Sequence, residues 1–254
     1  MASLADRPAS RSLRDESVVP GDRDSLAAMG GQTPFREPVA LAYRDSGPVD
    51  GTPVVLLHGA GADSTTWDVL GDWPKHWRVI RVDLPGHGSS PCATSYDLPD
   101  IVNDVRTLLE RLNLSEVNLV GHSMGAMVAY IFAQRVSRRV SRLVLAEPPP
   151  PLPASPARDE GPRPAGALDY DWSFQESFTR SRNHPDPSWW KELSTIASPT
   201  LILAGQRGGY AAEAHRAMAR RIPDCKVRFL AGSHHLHYDC PAEFRAALSA
   251  FLDA

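Results

Sequence analysis

The stretch Gly121-His122-Ser123-Met124-Gly125 constrains this chain more than any other. It follows the apolar run Val117-Asn118-Leu119-Val120 and opens into Ala126-Met127-Val128-Ala129-Tyr130-Ile131-Phe132-Ala133, so it reads as strand, sharp turn, helix. A turn that tight brings backbone against helix where a Cβ would clash, which calls for the flanking glycines. Ser123 is thereby lifted clear of the sheet, with a helix N-terminus beneath its Oγ. That is the context a G-x-S-x-G nucleophile turn requires. The competing reading is a serine that only caps the helix.

The rest of the chain supplies a sheet for such a turn. Val54-Val55-Leu56-Leu57 is a short continuous apolar run, as expected for a strand buried on both faces. Runs at 77–82, 141–146, 200–204 and 226–230 read as further strands, and 39–47 as an early strand ending in a turn. Between them, Ile101, Val105, Leu108, Leu109 and Leu112 recur at helical spacing, a further helix spans 211–221, and a last one starts near Pro241 with Phe244, Leu248 and Phe251 on its buried face. This alternation predicts right-handed βαβ units and a mostly parallel sheet, an α/β fold.

His58-Gly59-Ala60-Gly61 directly follows the second strand. Glycines there let the backbone bend so that an N–H faces the site. If Ser123 attacks a carbonyl, the developing oxyanion needs two fixed donors, and the N–H groups of Ala60 and Met124 are the natural pair. Asp83 and His87, in Asp83-Leu84-Pro85-Gly86-His87-Gly88, accompany no nucleophile and no metal spacing, and read as scaffold.

Composition narrows the partners. A net charge of −3 gives no electrostatic reason to expect nucleic acid or an anionic membrane. No segment resembles a membrane span, and residues 1–33 lack both a secretory signal and an apolar face, so a loosely attached extension is expected there, with the main domain over 34–254. Cys92, Cys225 and Cys240 form no metal-ligand spacing, which suits a reducing cytoplasm and a site with no metal and no cofactor. Over about 148–199 the composition shifts to Pro, Ser, Arg and aromatics, predicting a cap with short helices inserted over the active site. Trp172, Phe174 and Trp189 either line the substrate there or pack the cap on the core.

Taken together, His58-Gly59, the Asp83 to Gly88 run, the Ser123 turn, and Gly232-Ser233-His234-His235-Leu236-His237 followed by Pro241 resemble the α/β-hydrolase fold family over about residues 38–254. The resemblance implies the chain order nucleophile, acid, histidine. It places the catalytic histidine at His234, leaving His235 and His237 as supporting groups. In most relatives the acid follows the strand ending at Ala204 in a Gly-x-x-Asp turn, where this chain has Gly205-Gln206-Arg207-Gly208. Other members carry it after the preceding strand, where this chain has Glu147, and in this respect the sequence is similar to lactone-cleaving members such as the fungal zearalenone-type lactonases. Asp239, or Asp169 or Asp171 in the cap, stay open as alternative partners.

The expectation is a cofactor-independent serine hydrolase acting on a small-molecule substrate, an apolar acyl ester or lactone, through an acyl-enzyme. A thioesterase or acyltransferase would use the same residues, as would carbon–carbon bond hydrolysis or perhydrolysis. From a different class, a small-molecule binding protein or receptor could keep the fold with little turnover.

Overall fold

A computed structural model describes residues 35–154, 156–159 and 161–254. The expected extension over 1–33 lies outside the described residues. Seven strands form one sheet: β1 (Tyr43–Ser46), β2 (Thr52–Leu57), β3 (Trp77–Val82), β4 (Val117–His122), β5 (Val140–Ala146), β6 (Thr200–Gly205) and β7 (Cys225–Leu230). Their spatial order is β1-β3-β2-β4-β5-β6-β7. Every pairing is parallel except β1 with β3.

The continuous apolar strands are explained by two cores, one on each face of the sheet. Val55, Leu57, Leu119, Leu143, Leu145 and Ile202 point into one core, with α1 (Leu98–Arg111) and α2 (Met124–Arg135) above them. Their neighbours Val54, Leu56, Val120, Val144, Leu201 and Leu203 point into the other, closed by Trp67, Leu70 and α7 (Pro241–Leu252). Side chains alternate across a strand, so a strand covered on both sides must be apolar at every position. Helix α2 is buried along its whole first ten residues, which is why its sequence shows no polar face.

Between β5 and β6 the chain leaves the sheet for about fifty residues, forming α3 (Phe174–Asn183) and α4 (Pro187–Lys191). Phe174, Phe178, Trp189, Leu193 and Ile196 seat this insert on the core. It reaches the loops that follow β2 and β3: a backbone bridge joins His87 to Tyr170, and their rings stack with centroids 5.5 Å apart. The remaining helices are α5 (Ala212–Arg221) and the single turn α6 (Leu236–Asp239), which the sequence pattern did not signal. No helix among the described residues is long and apolar enough to cross a membrane.

Candidate active site

Ser123 sits between β4 and α2 with φ 51° and ψ −112°, a backbone conformation that L-residues rarely adopt. The turn is over-determined by its neighbours. A Cβ on Gly121 would meet the carbonyl oxygen of Gly125 at 2.2 Å, and one on Gly125 would meet that of Leu57 at 2.3 Å. The Ser123 N–H donates to Ala146 O at 2.9 Å and the Gly125 N–H to His58 O at 3.1 Å.

A continuous hydrogen-bonded chain leads away from the Ser123 hydroxyl. His234 Nε2 lies 2.9 Å from Ser123 Oγ, and His234 Nδ1 lies 3.1 Å from Glu147 Oε2. A carboxylate only accepts, so Nδ1 carries the proton and Nε2 is left as the acceptor for the serine O–H. The structure thus brings together three residues that stand far apart in sequence.

Glu147 follows β5 directly and, like Ser123, has a positive φ, 49°. Its side chain has no solvent exposure. Oε1 accepts from the Gly205 N–H at 2.6 Å and Oε2 from the Gly209 N–H at 3.0 Å. Burial alone would raise the carboxyl pKa, but the hydrogen bonds from His234, Gly205 and Gly209 outweigh it and hold the pKa below the ordinary value. The other carboxylates are engaged elsewhere. Asp239 caps the Ser233 N–H at 2.5 Å, Asp171 accepts from Tyr96 Oη at 2.7 Å, and Asp169 is exposed.

The loop after β2 is shaped by two buried neutral histidines. His58 Nδ1–H donates to Gly59 O at 2.8 Å while Nε2 accepts from the Leu84 N–H at 2.9 Å. His87 repeats the arrangement: Nδ1–H donates to Pro85 O at 2.9 Å and Nε2 accepts from the Gly61 N–H at 3.2 Å. Burial pushes both rings toward the neutral form, His58 to a pKa of about 4. Among the described residues the N–H groups of Ala60, between these anchors, and Met124, at the start of α2, have no protein acceptor. Gly59 brings the loop against the serine, since a Cβ there would stand 3.4 Å from Ser123 Cβ. Asp83 holds the adjoining turn by accepting from Ser64 and Ser89 N–H.

His122 was not singled out from sequence, yet it anchors the loop that carries His234. A carbonyl only accepts, so its Nε2–H donates to His234 O at 2.8 Å. Burial and the neighbouring His237 and His234 keep its pKa well below the ordinary value. His237 Nε2 meets Thr66 Oγ1 at 2.9 Å, and burial lowers its pKa to about 4. His235 is exposed. Despite the crowding of four rings, no group of three or more ligand-type side chains among the described residues has the arrangement to hold a metal ion.

Of the three aromatics expected either to line the substrate or to pack the insert, two are buried in the core. Phe174 has no accessible surface and is wedged between His87, Tyr96 and Phe178. Trp189 is buried, and its carbonyl accepts from Gln134 Nε2 at 2.7 Å. Both pack the insert on the core; Trp172 alone is half-exposed, beside Tyr170.

A family model for the alpha/beta hydrolase fold matches residues 52–173. Over 84% of its length the chain is 25% identical to a Bacillus subtilis protein provisionally assigned as a 2-succinyl-6-hydroxy-2,4-cyclohexadiene-1-carboxylate synthase, covering 95% of it. A serine hydrolase-like protein from Danio rerio is 38% identical, but over only 44% of this chain and 37% of that protein. The crystal structure of the enol-lactonase from Burkholderia xenovorans superposes with a TM-score of 0.74 at 23% identity, covering 84% of this chain and 96% of that one. The chain has the α/β-hydrolase fold.

Proposed function

We propose that this protein is a serine hydrolase that cleaves a carboxylic ester or lactone through an acyl-enzyme. The observation that carries the reading is the unbroken chain Ser123 Oγ, His234, Glu147, with contacts of 2.9 and 3.1 Å. In this reading Ser123 Oγ bonds to the substrate carbonyl carbon while His234 Nε2 takes its proton. Glu147 holds the ring in the reactive tautomer and stabilises the imidazolium. The oxyanion is received by the N–H groups of Ala60 and Met124, which have no other acceptor. His234 then gives the proton to the departing alcohol oxygen, and water repeats the sequence to release the acid.

The substrate is a small molecule rather than a nucleic acid or a membrane, in keeping with the net charge of −3. The three free cysteines support a reducing, cytoplasmic setting. Residues 148–199 act as a cap, with Trp172 the aromatic left open to a substrate. The test is hydrolysis of a panel of p-nitrophenyl esters, lactones and acyl thioesters, by the wild type and by Ser123→Ala. Turnover of esters or lactones that disappears in Ser123→Ala supports the proposal. Saturable binding without turnover would instead indicate a receptor on this fold, and preference for thioesters would move the bond class.

A further inference from the structure

Tyr210 stands just beyond Gly209, with its ring 6.1 Å from that of His234. Two arginines of the insert converge on it. The Arg182 guanidinium carbon lies 5.5 Å from the Tyr210 ring centroid and that of Arg158 5.9 Å, while Arg182 Nη2 donates to Tyr210 Oη at 2.7 Å. The segments that carry them are tied together by hydrogen bonds. Arg158 N–H donates to Asn183 Oδ1 at 2.8 Å, Asn183 Nδ2 donates to Arg158 O at 2.7 Å, and the Ala154 N–H donates to Arg182 O at 3.1 Å.

Both guanidinium groups lie over one ring, near enough for Arg158 to act on the charge of Arg182, and an anion reaching both would relieve that repulsion. Among the described residues neither arginine forms a salt bridge. Arg180, two residues earlier on α3, shows the ordinary solution by pairing with Asp97 at 2.7 Å. Arg182 is instead half-buried over Phe178 and Tyr210, and burial together with Arg158 disfavours its charge. An arginine fork is the side chain best matched to a carboxylate, through paired N–H donors.

We propose that Arg158 and Arg182, held by Tyr210 beside His234, bind a carboxylate carried by the substrate, so that the preferred ester or lactone is an acidic one. This deepens the hydrolase reading and rests on it. The carboxylate would dock on the insert while the acyl carbon reaches Ser123, which makes the arginines determinants of specificity rather than of chemistry.

The test compares matched esters with and without the charge: mono-p-nitrophenyl glutarate against methyl p-nitrophenyl glutarate for the acyl side, and p-acetoxybenzoate against its methyl ester for the leaving side. The variants are Arg182→Met, which keeps the stem packed on Phe178, Arg158→Gln, and the double. The expected result is a wild-type preference for the acid in at least one pair. In the double variant kcat/KM for that acid falls by at least about tenfold, through KM, as loss of charge-assisted hydrogen bonds implies. Its neutral partner is unaffected. A fall shared by acid and neutral ester means the arginines only hold the fold, and overturns the proposal, as does a wild type indifferent to the charge. If the wild type hydrolyses none of the four, it is the hydrolase reading that fails. Calorimetry with glutarate then decides the proposal, which stands if the wild type binds and the double variant does not, and falls otherwise.

Discussion

Glu147 and Gly208 share one small volume: a Cβ on Gly208 would come within 2.3 Å of Glu147 Oε1. In the turn after β6, Gly208 and Gly209 leave the room that a carboxylate from the end of the neighbouring strand occupies. Gly208→Ala is therefore expected to push the carboxylate off the Gly205 N–H and lower kcat by roughly a hundredfold, as a misplaced catalytic group does. Steady-state kinetics together with a melting curve separates this from unfolding.

Glu147→Gln should cost more in rate. An amide keeps only one acceptor oxygen, so it cannot accept from Gly205 N–H on one side and from His234 Nδ1–H and Gly209 N–H on the other. The ring is then driven to the tautomer that cannot take the serine proton, and kcat falls by about 10⁴. Unchanged kcat in Glu147→Gln, with loss in Asp239→Asn, would assign the acid elsewhere.

His122 works through the backbone of His234, so His122→Leu should lower kcat about tenfold while KM stays put, as expected when a positioned base is loosened. Equal loss of KM and kcat, or a large fall in melting temperature, would show that the ring only fills the core.

The buried histidines set the acid limit of stability. The unfolded chain protonates them near pH 6.5, whereas His58 and His237 in the folded chain resist protonation down to about 4. Their contribution is full above pH 6.5 and is lost as pH falls through that window, about 3 kcal/mol for each ring. Glu147, with its pKa depressed, adds a further loss only as pH falls below 4.5. The melting temperature at pH 5 should lie roughly ten degrees under that at pH 7. A flat profile between pH 7 and 5 would mean these rings are protonated or exposed in the native state.

Much of this arrangement was legible in the residue order, and for identifiable reasons. Strands β2 and β6 announce themselves as continuous apolar runs because both faces are covered, the edge strand β7 shows only alternation, and the Ser123 turn is marked because two backbone contacts forbid a Cβ at Gly121 and Gly125. The nearness of Glu147 to His234 could be anticipated from a missing acid at Gln206 and Arg207, but Gly208 and Gly209 carried the positive signal, as the space the carboxylate fills. The role of His122 was hidden, since a contact from a ring to a carbonyl 112 residues away has no local pattern. Phe174 and Trp189 were ambiguous because an aromatic in an insert can face either way, and only burial decides.

The central claim is that Ser123 is the nucleophile of a working triad, and covalent labelling tests it most directly. The protein is incubated with a fluorophosphonate at neutral pH, and intact-mass and peptide mass spectrometry count and locate the adduct. One phosphonyl group per chain, located on Ser123 and formed far more slowly in Glu147→Gln, is the predicted result. An unmodified chain, or an adduct on another residue, would contradict it.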